Sequence, residues 1–155
     1  ATIHILSSEF NAAQKISALN KLRYRPNQFK DHRYWNFLEP KNGENWFNFS
    51  RVQGFDLFEN EILMIPLHGH TEGHCGIAIK NGNGWLFFCG DAYYSHLELD
   101  PKNKLPILER TEKILAANNS LRMKSLADIQ TLAATESSIK IICAHDPHEL
   151  NQFLS

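Results

Sequence analysis

This sequence lacks a dominant charge, a long apolar run and a thiol framework. Its 16 Lys and Arg nearly balance 17 Asp and Glu, giving a formal net charge of −1. A global field that would draw in nucleic acid or an anionic membrane is therefore missing. The longest apolar stretches, such as Ile62 to Pro66, have strand length and fall far short of the ~18 apolar residues of a membrane-spanning helix. There are 3 Cys, an odd number, and no CxxC pair. That argues against a disulfide scaffold and for a reducing compartment, so a cytoplasmic location is expected. No signal-peptide pattern opens the chain. What the sequence does have is bulk. Ten Phe, 3 Trp and 4 Tyr in 155 residues exclude a disordered chain and fit one globular domain over 1–155.

The chain opens on Ala1-Thr2-Ile3-His4-Ile5-Leu6, already in a strand pattern and without Met. Either a leader has been removed or the chain starts partway through a larger fold. Residues 2–6 predict a strand, and Ser7 or Ser8 a cap for a helix over about 9–22. Pro26, Pro40 and Gly43 punctuate a long connection over 23–45. Alternation over Trp46–Val52 predicts a strand, and Ile62–Leu67 a second. Ile77–Lys80 and Trp85–Phe88 flank Asn81-Gly82-Asn83-Gly84, a hairpin signature. Helices are expected over 108–117 and 121–135, where Leu126, Ile129, Leu132 and Ala133 share a stripe. A buried strand over 140–144 and a short helix over 147–154, with Pro147 at its start, complete the chain. Strands, then helices, then strand and helix imply an α/β (α+β) sheet with helices packed on it.

The chemistry is concentrated at strand ends. His68, His70 and His74 share Leu67-His68-Gly69-His70-Thr71-Glu72-Gly73-His74, between two expected strands. Loops at strand ends are common sites, and imidazole is the commonest metal-ligating side chain. On this segment alone, a His-rich surface loop is the competing reading. Phe88-Cys89-Gly90-Asp91-Ala92 puts a carboxylate after an apolar strand, where a turn or cap residue is the plainer reading. Ile141-Ile142-Cys143-Ala144-His145-Asp146 repeats the pattern with an imidazole. The repetition raises all three. Apolar strands lead into His70, Asp91 and His145 in the same sense, so the three could converge as a metal site requires. Cys89 and Cys143 each stand two residues before one of these positions, on the same strand face, and read as core residues; Cys75 reads likewise.

Pro66-Leu67-His68-Gly69-His70-Thr71-Glu72-Gly73-His74 resembles the P-x-P-G-H-T-x-G-H loop of the metallo-β-lactamase superfamily. Cys89-Gly90-Asp91-Ala92 is similar to its G-D motif, and Ala144-His145-Asp146 to its last metal histidine. The resemblance covers nearly the whole chain, in order and rough spacing. It implies a metallo-β-lactamase-like αββα sandwich, present here as an incomplete, C-terminal part. It also implies His70 on a first metal, Asp91 bridging two metals and His145 on the second, with zinc as the expected ion and iron or manganese as alternatives. Tyr94, three residues after the bridging Asp, occupies the position that contacts substrate in lactonase-like members. His74 reads as a structural or orienting residue, and His148 as a surface residue.

The superfamily's first motif, H-x-H-x-D-H, is absent; Asp31-His32 is the nearest dipeptide. A catalytic zinc normally has about three protein ligands plus water. Each of the two sites is therefore short of donors, and an apolar sheet face should be uncovered. The expectation is a metal-dependent hydrolase of an ester, thioester, lactone or related bond in a small-molecule substrate. These residues would be the C-terminal part of the enzyme, inactive alone, with the missing half or a second copy covering the sheet. A non-catalytic interaction domain of the same fold and an iron-dependent oxidoreductase are the alternatives. The basic and aromatic residues of 21–25 and 30–35 could stack on nucleic acid, but read better as a solvated connection with snorkelling side chains.

Overall fold

The computed structural model describes residues 2–15, 18–39, 43–55 and 61–152. The chain divides into two compact units, Ala1–Glu39 and Pro40–Ser155.

In the first unit, strand β1 (Ile3–Leu6) pairs in parallel with β2 (Trp35–Leu38), in a register matching Ile3 to Trp35. Helices α1 (Ser7–Gln14) and α2 (Ala18–Arg23) lie between them in sequence. Phe10 meets Trp35 and Phe37 edge-on, at ring separations of 5.4 and 4.9 Å. The expected long connection thus contains strand β2, whose 4 residues are too short to show a period. The expected Ser cap is not used: α1 starts at Ser7 itself, with Leu6 at the cap position and no side-chain cap. Residues 16 and 17 of the helix expected over 9–22 lie outside the described residues, as do 153 and 154 of the expected final helix.

The second unit is built on a six-stranded sheet in the order β3-β4-β5-β6-β7-β8. Its strands are β3 (Glu44–Trp46), β4 (Phe49–Gly54), β5 (Ile62–Pro66), β6 (Cys75–Asn81), β7 (Gly84–Phe88) and β8 (Ile139–Ile142). All neighbours are antiparallel except β7 and β8. The single strand expected over Trp46–Val52 is instead two, turning at Phe47-Asn48; Phe47 has φ +49°, a conformation its sequence does not advertise. The expected β6–β7 hairpin forms, with Asn81 opposite Gly84.

Helices α3 (Pro106–Leu115), α4 (Asn119–Thr135) and α5 (Pro147–Asn151) complete the unit. Period-2 burial divides the sheet. Leu63, Ile65, Ala78 and Phe87 face a core shared with Leu126, Ile129 and Leu132 of α4. Ala133 is exposed, and the buried stripe of α4 takes in Arg122 and Ser125 instead. On the other face Phe88 and Ile79 are each 43% exposed.

This topology explains why three strand ends could converge. β5 and β7 are both antiparallel to β6, and β8 is parallel to β7. The ends of β5, β7 and β8 therefore share one rim, and His70, Asp91 and His145 follow them.

Candidate metal and substrate centre

The loop after β5 is held by main-chain bonds. Leu67 N–H donates to His74 O and Gly69 N–H to Thr71 O, at 2.9 and 3.0 Å. The segment leading into α4 closes it from outside: Ala117 and Asn118 N–H donate to His70 O and Gly69 O, each at 3.0 Å. Asn118 caps α4 by accepting from Leu121 N–H.

The three expected donors come together. Asp91 Oδ2 lies 3.4 Å from His70 Nε2, and Asp91 Oδ1 lies 3.1 Å from His145 Nε2. Each carboxylate oxygen thus faces a different imidazole. His70 is the most enclosed, with 16% of its side chain exposed, against 35% for Asp91 and 51% for His145. Tyr94 leans over both rings, its hydroxyl 3.5 Å from His70 Nδ1 and its ring 4.4 Å from that of His145.

His74 orients the centre. Its Nε2 accepts from Asp91 N–H at 3.0 Å, and its Nδ1 lies 2.9 Å from Leu67 O. Only the tautomer protonated at Nδ1 satisfies both. A Cβ on Gly90, whose φ is +57°, would approach His74 Nε2 to 2.8 Å, so this glycine admits the imidazole.

A second layer lies beneath, and sequence reasoning missed most of it. Asp146 Oδ2 accepts from the main-chain N–H of His96 and contacts its ring Nδ1, both at 2.6 Å, while Oδ1 accepts from His148 N–H. The His148 ring, taken as a plain surface residue, stacks on that of His96 at 4.3 Å. Glu98 Oε1 accepts from the N–H groups of Tyr94 and Ser95, closing a capping box. The spacing Ser95-x-x-Glu98 is a readable signal for it. These contacts join the Tyr94 segment to the His145 segment.

Burial would raise the Asp146 carboxyl, but the hydrogen bonds from His96 and His148 reverse this and hold it at about 2. Its folded value lies below the ~3.9 of an unfolded Asp. Its stabilisation is therefore present above about pH 4 and lost as pH falls towards about 2. Asp146→Asn is expected to lower Tm at neutral pH and to flatten the acid limb of a Tm–pH curve; a parallel, undiminished acid limb would contradict this.

Cys89 and Cys143 are core residues as expected, whereas Cys75 is only half-buried. Burial pushes the Cys89 thiol well up, and Cys143 up to about 12. Both stay thiols at neutral pH.

Imidazole and carboxylate are the donors a zinc or similar divalent ion takes. The chemistry of His70, Asp91 and His145 fits part of such a centre, with one imidazole on each side of a shared carboxylate. Among the described residues, no three or more His, Cys, Asp or Glu side chains are arranged to hold one ion by themselves. The described residues also include no helix long and apolar enough to cross a membrane.

No family model matches the chain. Two curated mycobacterial proteins do, each named "Probable metallo-hydrolase": Mb2322c of Mycobacterium bovis and Rv2300c of Mycobacterium tuberculosis. Each is 31% identical over 150 residues, covering 95% of this chain and 48% of the relative. The chain thus spans about half the length of the curated relatives it matches. Among solved structures, an N-acyl homoserine lactone hydrolase, with product bound at its catalytic metal centre, superposes with a TM-score of 0.67 at 15% identity. That match covers 98% of this chain and 50% of the other. The hydrolase AbOPH, of the beta-lactamase superfamily, gives a TM-score of 0.57 at 16% identity, covering 96% of this chain and 49% of its own.

Proposed function

We propose that this chain belongs to the metallo-β-lactamase superfamily, as its likeness to the metallo-hydrolases and to the lactonase fold supports, and that it carries part of the catalytic centre of a metal-dependent hydrolase. The observation that carries the reading is Asp91, whose two oxygens face two different imidazoles. A carboxylate so placed can serve two ions, with His70 on one side and His145 on the other. When bound, zinc or a similar ion would polarise a substrate carbonyl and supply hydroxide near neutral pH. The remaining donors would come from chain outside the described residues.

The chain's own groups have separable tasks. His74 holds the Asp91 main chain, and so aims its carboxylate. Asp91 is placed to accept a proton from an attacking water. The Tyr94 hydroxyl stands beside His70 and can donate to the oxygen of a reacting carbonyl. The substrate class that suits this set is a small ester, thioester or lactone. The exposed Phe88 and Ile79 face would be covered by the rest of the protein or by a second copy.

Asp91→Asn in the full-length protein is the test. Metal content should fall, and kcat/KM on a lactone and ester panel should drop by about 1,000-fold or more. Unchanged metal content and activity would remove Asp91 from its role. A second reading, a domain keeping the fold for binding alone, is favoured by the lack of a three-donor set among the described residues. Metal-free, inactive full-length protein would support it. Stoichiometric iron would point instead to redox chemistry.

A further inference from the structure

A cavity of about 370 Å³ separates the β3–β4 hairpin from the start of α4. Ser50, Arg51, His68, Lys124, Ser125 and Asp128 are among its lining residues. Two of these carry fixed positive charge. Among the described residues, neither Arg51 nor Lys124 has a carboxylate within ion-pair distance. Asp128 is the one acid in the lining; burial pushes its carboxyl up, against the pull of Lys124. The walls are tied together. Asn48 Nδ2 donates to Asp128 O at 2.8 Å, and Ser125 Oγ to His68 O at 2.9 Å. The cavity is therefore fixed by contacts that do not use the Arg51 or Lys124 charges.

Arg51 is also strained. Its φ is +62°, in the left-handed region, beside a register shift in the β3–β4 pairing. Glycine is the residue that adopts this conformation without penalty at a bulge. The chain instead places there a five-donor guanidinium, suited to planar oxyanions. A backbone outlier of this kind is a reason to look for function.

We propose that Arg51 and Lys124, with the Ser50 hydroxyl, bind one oxyanion group, a phosphate or a carboxylate, in this cavity. None of these three residues belongs to the proposed metal centre, so the site stands or falls separately from the hydrolase reading. The guanidinium supplies the planar fork, the ammonium a second charge, and the hydroxyl a neutral donor. Asp128 limits the site to a single anionic group.

The test is calorimetric titration of the full-length protein with inorganic phosphate and, separately, acetate, at constant ionic strength. Saturable binding of either supports the site, and the tighter of the two identifies the group. Arg51→Gly should relieve the backbone strain, leaving Tm equal to or above that of the parent, while weakening anion binding by about tenfold or more. Lys124→Gln, at an exposed helix position, should weaken it without changing the fold. Parent-like phosphate and acetate affinity in both variants would overturn the proposal. So would binding of neither anion, or an equal response to chloride.

Discussion

Gly69→Ala is expected to destabilise the second unit by about 3–5 kcal/mol, through backbone strain and lost hydrogen bonds. The φ of Gly69 is +129°, and a Cβ there would lie 2.0 Å from Arg122 N and 2.4 Å from its Cα. Both atoms are main chain, so no side-chain rotation relieves the clash. Either the loop or the start of α4 must move. Movement breaks the bonds from Ala117 N–H to His70 O and from Asn118 N–H to Gly69 O. It also disturbs Arg122, 3% exposed, whose Nη1 lies 3.0 Å from Glu112 Oε2, itself 1% exposed. Weakening a buried pair leaves charge uncompensated. Because His70 belongs to the same loop, its approach to Asp91 should lengthen and metal retention should fall with stability. Urea denaturation with metal analysis measures both. A loss below about 0.5 kcal/mol, the usual size for an inconsequential surface change, would contradict the packing described.

The sequence made the rim legible because its cues are local. Apolar runs mark β5, β7 and β8, and His70, Asp91 and His145 follow them at once. The hairpin at Asn81–Gly84 and the start of α5 at Pro147 are likewise written in adjacent residues. Elements that depend on distant partners were not legible. Strand β2 exists because it pairs with β1, each residue matching one 32 positions earlier (Ile3 with Trp35), and nothing in Trp35–Leu38 announces that partner. The break at Phe47 requires a positive φ in a residue that normally avoids one. The polar end of the α4 stripe was not legible, because Arg122 is buried with its Nη1 3.0 Å from Glu112 Oε2 of α3, a distant partner. His96 joined the site through Asp146, 50 residues away, a relation no spacing rule reveals. The motifs are thus readable, and His74 with them, while the link from His96 to Asp146 is known only from the tertiary contacts.

Glu149→Ala is the second change expected to cost about 3–5 kcal/mol, through two orphaned donors and a new cavity. Glu149 is 4% exposed, and its side chain turns from the short helix α5 into the core. Oε1 accepts from the Tyr93 hydroxyl at 2.8 Å, and Oε2 accepts from Cys143 N–H at 2.7 Å. Burial pushes the Tyr93 hydroxyl far up, so it stays protonated and remains a donor. Truncation leaves a buried hydroxyl and a buried N–H unpaired, in a space water reaches poorly. Glu149→Gln separates hydrogen bonding from charge. Its amide oxygen can serve Cys143 N–H while its NH₂ donates to the Tyr93 oxygen, since a hydroxyl also accepts. The cost of that swap should be only about 1 kcal/mol, the net worth of one hydrogen bond. Tyr93→Phe, which removes one donor and leaves Cys143 anchored, should cost a similar amount. The functional consequence follows from position. Cys143 is two residues before His145, so freeing its N–H loosens the turn that brings His145 to Asp91. Metal retention should therefore fall in the Ala variant and survive in the Gln variant. Equal stability of the Ala and Gln variants would show that neither the volume of Glu149 nor its two hydrogen bonds matter, and the anchor described here would be wrong.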